Sequence, residues 1–254
     1  MIDAWRLAVG TLTALPTRPP GQVNPRVAGG AMLLAPVATL PLGFAVVLGW
    51  ATLRWTTAPP LLVGALVVAL LALATRGLHL DGLADTSDGL AASYDRTRAL
   101  AVMRTGDVGP AGTGALVLIL LIQAAAFAEL VTTLPGTLIS GLAVVTSRHT
   151  LAWACRDGIP AARPDGLGAM VAGTVPAWSA AGSALALAVA GGLLLSTAGM
   201  PWWVGPAVVS AGLVGTAVVV ARTRRRIGGI TGDVLGAVVE ISLTAALIVG
   251  TVLH

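Results

Sequence analysis

The 254-residue chain is 56% hydrophobic and only 10% charged, with a mean hydropathy of +0.89 and a formal net charge of +4. A soluble domain of this length carries roughly a quarter charged residues, so the apolar content exceeds what one core can bury and lipid must solvate the rest. A single cysteine, Cys155, excludes a disulfide framework and a thiol metal site.

Residues 1–15 form an apolar to amphipathic stretch ending at Pro16, without a convincing cleavage site. Trp5 and Arg6 suit a segment lying at headgroup depth. Apolar runs long enough to cross a bilayer, about 20 residues each, follow at 32–53, 59–76, 109–134, 136–155, 178–199, 202–221 and 234–253. Turn chemistry separates them at Ala58-Pro59-Pro60, Leu134-Pro135-Gly136 and Met200-Pro201-Trp202. A spanning segment must satisfy its own backbone hydrogen bonds, and no alternating ten-residue pattern marks a barrel. The expected fold is therefore all-α, a polytopic helical membrane bundle of about seven transmembrane helices. No fixed-period repeat or long linker divides it, so residues 1–254 read as one membrane domain.

Orientation follows from the basic residues. There are fifteen Arg and no Lys. With a cytoplasmic N-terminus, every Arg except Arg54 falls in or beside the inner segments 1–31, 77–108, 156–177 and 222–233. The Arg222–Arg226 run then anchors two spans on the inner side, and nucleic acid is not expected as a partner. Trp202-Trp203 reads as an interfacial belt.

The densest polar cluster lies in segment 77–108, which with 156–177 and 222–233 forms the expected active-site face. His79, Asp81, Asp85 and Asp88 fall within residues 76–89. On a helix the three Asp share one face, and Asp95 would join them if the helix continued. Carboxylates about 6 Å apart repel by roughly 3 kcal/mol at an effective dielectric near 20. A divalent cation removes that conflict, and oxygen-only ligands favour Mg²⁺ or Mn²⁺ over zinc. His79 points away from Asp81 on the same ideal helix, so the helix starts after it or His79 belongs to another shell.

The second constellation is GlyGlyIleThrGlyAspValLeuGly, residues 228–236, with Glu240 beyond. Gly229 and its neighbours let backbone amides approach an anion at a helix N-terminus, beside Thr231 and Asp233. Glu240 falls inside the last span, where an acid faces a polar cavity or a partner. Arg148, within the fourth span, requires an acid or a phosphate. Arg104 and Asp107 lie just before the third span, whereas Glu129 sits toward its outer end, away from this face. Acids for a metal, Arg for anionic groups and glycine-rich turns at helix ends are the inventory of phosphoryl transfer. Residue chemistry alone reaches metal-dependent transfer on a phosphate-containing substrate at the cytoplasmic membrane face.

At His79–Gly89 the chain resembles the adenosylcobinamide-GDP ribazoletransferase (cobalamin synthase) family. LeuThrAlaLeuProThrArgPro (12–19), HisLeuAspGlyLeuAlaAsp…AspGly (79–89), AlaArgProAspGlyLeuGly (162–168) and GlyGlyIleThrGlyAsp (228–233) match its blocks in order. One block departs. Before the third span the family more often reads Lys-Asp-Ser-Arg-Ile-Gly, where this chain has Arg104-Thr-Gly-Asp107-Val-Gly109. The resemblance implies the last step of nucleotide-loop assembly in a bacterial inner membrane. There, adenosylcobinamide-GDP is joined to α-ribazole or its 5′-phosphate with release of GMP and a requirement for Mg²⁺. It implies Asp81, Asp85, Asp88 and Asp233 at the metal, with His79 or an Asp as general base. Arg104, Asp107, Arg148, Gly229, Thr231, Asp233 and Glu240 would then meet substrate. The CDP-alcohol phosphotransferases also align Asp on membrane helices, but their Ala-Arg pair and spaced Gly-Asp-Asp are missing here. A transporter would hold its polar residues nearer the midplane.

Overall fold

Proline and short polar side chains start the helices where the apolar runs begin. In the computed structural model, which describes residues 1–254, twelve helices form. They are α1 (Ile2–Leu12), α2 (Pro25–Ala38), α3 (Gly43–Trp55), α4 (Pro60–Ala74), α5 (Leu78–Ala92), α6 (Arg96–Val102), α7 (Pro110–Leu130), α8 (Leu134–Ala154), α9 (Gly166–Val171), α10 (Ala177–Thr197), α11 (Val204–Ile227) and α12 (Gly232–Leu253). Asn24, Asp95, Thr133 and Thr231 each accept the backbone N–H three residues on and cap α2, α6, α8 and α12. There is no strand, only isolated bridges at Arg156–Val175 and Ala161–Ile230.

Five stretches are long and apolar enough to cross a membrane: Pro25–Trp55 (α2 with α3), α7, α10, α11 and α12. The chain is thus a multi-pass helical membrane protein. The pair α4–α5 meets the same test only when taken together, and it is bent by 92°. Counting that pair gives six. The seven expected from the sequence included α8, which has 21 residues but buries Thr146, Ser147, Arg148, His149 and Thr150 against its neighbours. Its length suits a bilayer, but its composition suits a protein interior.

The bend between α4 and α5 rests on two consecutive left-handed residues, Arg76 (φ 57°) and Gly77 (φ 69°). Arg76 is held there by a 2.7 Å bond from its guanidinium to Gly10 O at the end of α1. Beyond the bend α5 crosses the N-terminal ends of α12 and α7. A Cβ on Gly82 would lie 2.6 Å from Asp233 O and 3.0 Å from Gly236 Cα, so α5 and α12 meet backbone to backbone. At its other end Asp88 accepts hydrogen bonds from Gly109 N (2.7 Å) and Gly112 N (2.8 Å), closing the open N-terminus of α7. With only 15 residues, α5 is too short to span and lies at the level of these helix ends.

Two apolar cores fill the bundle. One joins α1, α2, the C-terminal part of α8 and the N-terminal part of α12. The other joins α3, α4 and the opposite ends of α8 and α12. Between them runs a buried polar layer that includes Gln123, Ser147, Arg148, Thr150, Glu240, Ser242 and Thr244. Gln123 donates to Glu240 Oε2 (2.8 Å) and Thr244 Oγ1 (3.1 Å), and Thr150 and Ser242 hydroxyls meet at 3.1 Å.

Candidate active site

The segment before α12 is built by backbone pairing with the loop after α8. Ile230 N donates to Pro160 O (3.0 Å) and Ala162 N to Ile230 O (2.8 Å). Gly228, at φ 85°, ends α11, and Gly229 is buried where a Cβ would lie 2.8 Å from the Ala161 carbonyl carbon. Gly229 thus serves close backbone packing. Thr231 accepts from Val234 N (3.2 Å) and donates to Asp233 Oδ2 (3.1 Å), so it caps α12 and orients the acid at once.

These pairings draw four distant pieces of chain around one cavity of about 280 Å³. Thr11 and Leu12 of α1, His79, Asp81 and Gly82 of α5, Arg163 with the Asp165–Gly168 turn, and Thr231, Gly232, Asp233 and Gly236 of α12 line it. Met32, Leu151 and Leu235 supply an apolar floor. All four motif blocks of the sequence contribute, although more than 200 residues separate the first from the last.

The acids of α5 divide. Asp81 is exposed and Asp85 half-buried, while Asp88 is buried and committed to the amides of α7. The chain's three ion pairs involve Asp3, Asp165 and Asp233 and leave Asp81 and Asp85 free. Burial first, then the negative charges of Asp81, Asp233 and Asp88, raise the Asp85 pKa to about 6 against the pull of Arg163. Asp95, beyond the end of α5, caps α6 instead of joining them.

His79 is buried, and neither ring nitrogen has a hydrogen-bond partner. It lies in the first turn of α5 and lines the same cavity as Asp81, which the ideal-helix projection did not anticipate. Burial and the positive charge of Arg148 lower its pKa to about 3, so the ring is neutral with one nitrogen free to accept. The ring forms part of the cavity wall while both its nitrogens are closed off from solvent.

No three His, Cys, Asp or Glu side chains converge closely enough to cage a metal by themselves. Asp81 and Asp233 nevertheless line one opening, and Asp85 lies near enough for both to raise its pKa, so the three are a mutually repelling set of oxygen donors. Mg²⁺ is usually held by one or two carboxylates plus substrate phosphates, not by an all-protein cage. The donor chemistry therefore fits that ion.

The remaining predicted residues lie apart from the cavity. Arg104 is exposed and pairs with Asp165 at 2.6 Å on the cavity rim, and Asp107 is exposed in the loop before α7. Arg148 and Glu240 face each other across a small void in the polar layer, with Arg148 donating to Ser147 Oγ at 2.7 Å. Glu129 is exposed in the last turn of α7, at the end remote from Asp88. Sequence reasoning gave no role to Arg163, whose guanidinium lies 3.7 Å from Asp233 and donates to Leu100 O at 3.0 Å. Its signal was present, since Arg163 opens the AlaArgProAspGlyLeuGly block next to an acid and two glycines.

A family profile described as cobalamin-5-phosphate synthase matches residues 4–251. An adenosylcobinamide-GDP ribazoletransferase from Nocardioides sp. is 53% identical over 98% of this chain and 98% of its own length. Proteins of the same name from Frankia casuarinae and Stutzerimonas stutzeri are 43% and 36% identical, each over 98% of this chain and over 94% and 97% of their own. No solved structure matches the chain.

Proposed function

Because the chain belongs to the cobalamin-5-phosphate synthase family, we propose that it joins adenosylcobinamide-GDP to α-ribazole or α-ribazole 5′-phosphate and releases GMP. The observation that carries this is the convergence of four motif blocks on one cavity lined by the unpaired Asp81, by Asp233 and by His79. An acceptor hydroxyl in the cavity is aimed at the cobinamide-side phosphorus. The new P–O bond forms as the bond to the nucleotide's bridging oxygen breaks, and GMP leaves with that oxygen. With a pKa near 3 and both ring nitrogens buried, His79 is a poor store for the hydroxyl's proton. Asp85, poised at about 6, is the better base near neutral pH.

Asp81 and Asp233, with Asp85 when it is ionised, would hold Mg²⁺ against the diphosphate, where the ion neutralises charge and orients the leaving group. Arg163 and Arg104 add positive charge on the rim. Asp88, Arg148, Thr231 and Glu240 keep α5, α7, α8 and α12 in register beneath the site. The distribution of Arg supports a cytoplasmic opening in a bacterial inner membrane.

Purified protein mixed with adenosylcobinamide-GDP, α-ribazole and Mg²⁺ tests the assignment. GMP that appears together with cobalamin, and is abolished by EDTA, is the expected result. No GMP from folded protein overturns the transferase assignment. An Asp85→Ala variant that folds normally and keeps full activity overturns the role of Asp85.

A further inference from the structure

Beside the acid-lined cavity, and sharing Arg163 with it, lies a second, open hollow of about 540 Å³ between α6 and the 162–164 segment. Arg96, Arg104 and Arg163 line it, together with Thr97, Leu100 and Pro164. Its acidic neighbours are Asp165, on Arg104, and Asp233, 3.7 Å from Arg163 on the side of the acid-lined cavity. Three guanidinium groups against two carboxylates leave an excess of positive charge, with Arg96 unpaired by any acid. Burial lowers the pKa of Arg163, with Arg104 acting in the same direction and Asp233, Asp165 and Asp85 against it.

The arginines are held in place by the backbone. Arg96 donates to Ala162 O (2.9 Å) and packs against Gly228, where a Cβ would lie 2.8 Å from its guanidinium carbon. Arg163 donates to Leu100 O, and its Nε is buried without a partner. The hollow is therefore a built, cationic groove, walled by Leu100 and Pro164. That combination suits a phosphate carrying a flat, partly apolar group.

We propose that this groove binds a nucleoside 5′-monophosphate, the leaving half of the diphosphate donor. The proposal rests on the transferase assignment and adds a division of the site to it. Arg163 is the divider. A diphosphate laid across it meets Asp81 and Asp233 on one side and Arg96 and Arg104 on the other. The cobinamide-side phosphorus then faces the acceptor cavity, and the departing phosphate gains bonds to arginine as the bridging P–O bond breaks. The 280 Å³ cavity is left for the nucleoside acceptor, its base over the floor of Met32, Leu151 and Leu235.

The test is equilibrium binding to purified protein without turnover, by titration calorimetry with GMP, inorganic phosphate and guanosine as probes. GMP binds more tightly than inorganic phosphate, and guanosine most weakly. Arg96→Ala and Arg104→Ala each raise the GMP Kd roughly tenfold, Arg96→Lys raises it less, and Asp81→Asn leaves it unchanged. In turnover, GMP raises the apparent KM for the diphosphate donor and not for the nucleoside. An unchanged GMP Kd in Arg96→Ala and Arg104→Ala proteins with wild-type melting temperatures overturns the groove, as does inorganic phosphate binding as tightly as GMP. Transfer without GMP binding would also overturn the groove while leaving the transferase assignment intact. Arginine-dependent GMP binding without transfer would do the reverse.

Discussion

The polar layer inside the bundle and the cavity at the helix ends draw on the same residue types, yet their charges face different things. In the layer, Arg148 and Glu240 look at each other, and Gln123, Ser147 and Thr244 complete the shell. At the cavity, Asp81 and Asp233 line the wall with Asp85 close enough to feel both charges, and the buried ring nitrogens of His79 have no partner. Opposite charges closed in by protein hold helices together. Like charges opening to solvent repel until something arrives from outside. The difference separates stability from function more cleanly than burial does, since His79 and Arg148 are both buried.

The comparison can be broken most decisively in the layer. Arg148→Ala removes the charge facing Glu240 and the donor to Ser147, and is expected to cost about 1–3 kcal/mol, read as a drop in the thermal unfolding midpoint in detergent. The double variant Arg148→Met with Glu240→Leu should recover most of it. A wild-type midpoint in Arg148→Ala would show that the layer does not hold the bundle.

In the cavity the expected effect is on rate alone. Asp81→Asn should slow GMP release by roughly 10²–10³-fold while the unfolding midpoint stays put. Equal losses of rate and midpoint would erase the distinction between the two regions.

Asp88 lies on the boundary, because it belongs to the acid helix yet serves α7. Asp88→Ala leaves the Gly109 and Gly112 amides without their acceptor, at about 1–3 kcal/mol for a stranded buried group. Stability and rate should fall together, and Asp88→Asn should fall between, since one carbonyl oxygen remains.

The smallest effect sharpens the electrostatic side. The folded pKa of Asp85, about 6, lies above the ordinary carboxylate value near 4. The folded protein therefore binds the extra proton between these values, and stability falls as pH rises through that window. Above about pH 6 the ionised acids repel in full, so Mg²⁺ should raise the unfolding midpoint more at pH 8 than at pH 5. Asp85→Asn should flatten the difference. Equal Mg²⁺ shifts at both pH values would remove Asp85 from the cation's surroundings.

Much of this was legible in the sequence, and the gaps have physical causes. The apolar runs located the long helices because bilayer thickness fixes their length. The turn at Arg76–Gly77 was not legible, since Arg rarely adopts φ > 0 and only the bond to Gly10 O makes it tenable there. Spacing placed Asp81, Asp85 and Asp88 on one face, which is sound for a lone helix. It could not foresee that the N-terminus of α7 would arrive and claim Asp88. The need of Arg148 for a partner followed from its depth, and the identity of that partner followed only from the packing of α8 against α12. Arg163 went unassigned because its meaning depends on Asp233 and Arg104, both about 60 or more residues away along the chain.

The backbone contact between Gly82 and Gly236 has a consequence for how the protein is made. Asp233 is synthesised 152 residues after Asp81, a delay of roughly 8–30 s at 5–20 residues per second. Throughout that interval the acid helix has no α12 to rest on, and for the first 82 residues of it no Arg163 to temper its charge. The catalytic centre is thus completed only once α12 has begun. A chain stalled anywhere between the two glycines would be an inserted membrane protein with no active site, which is a form the cell's quality control must recognise without help from catalysis.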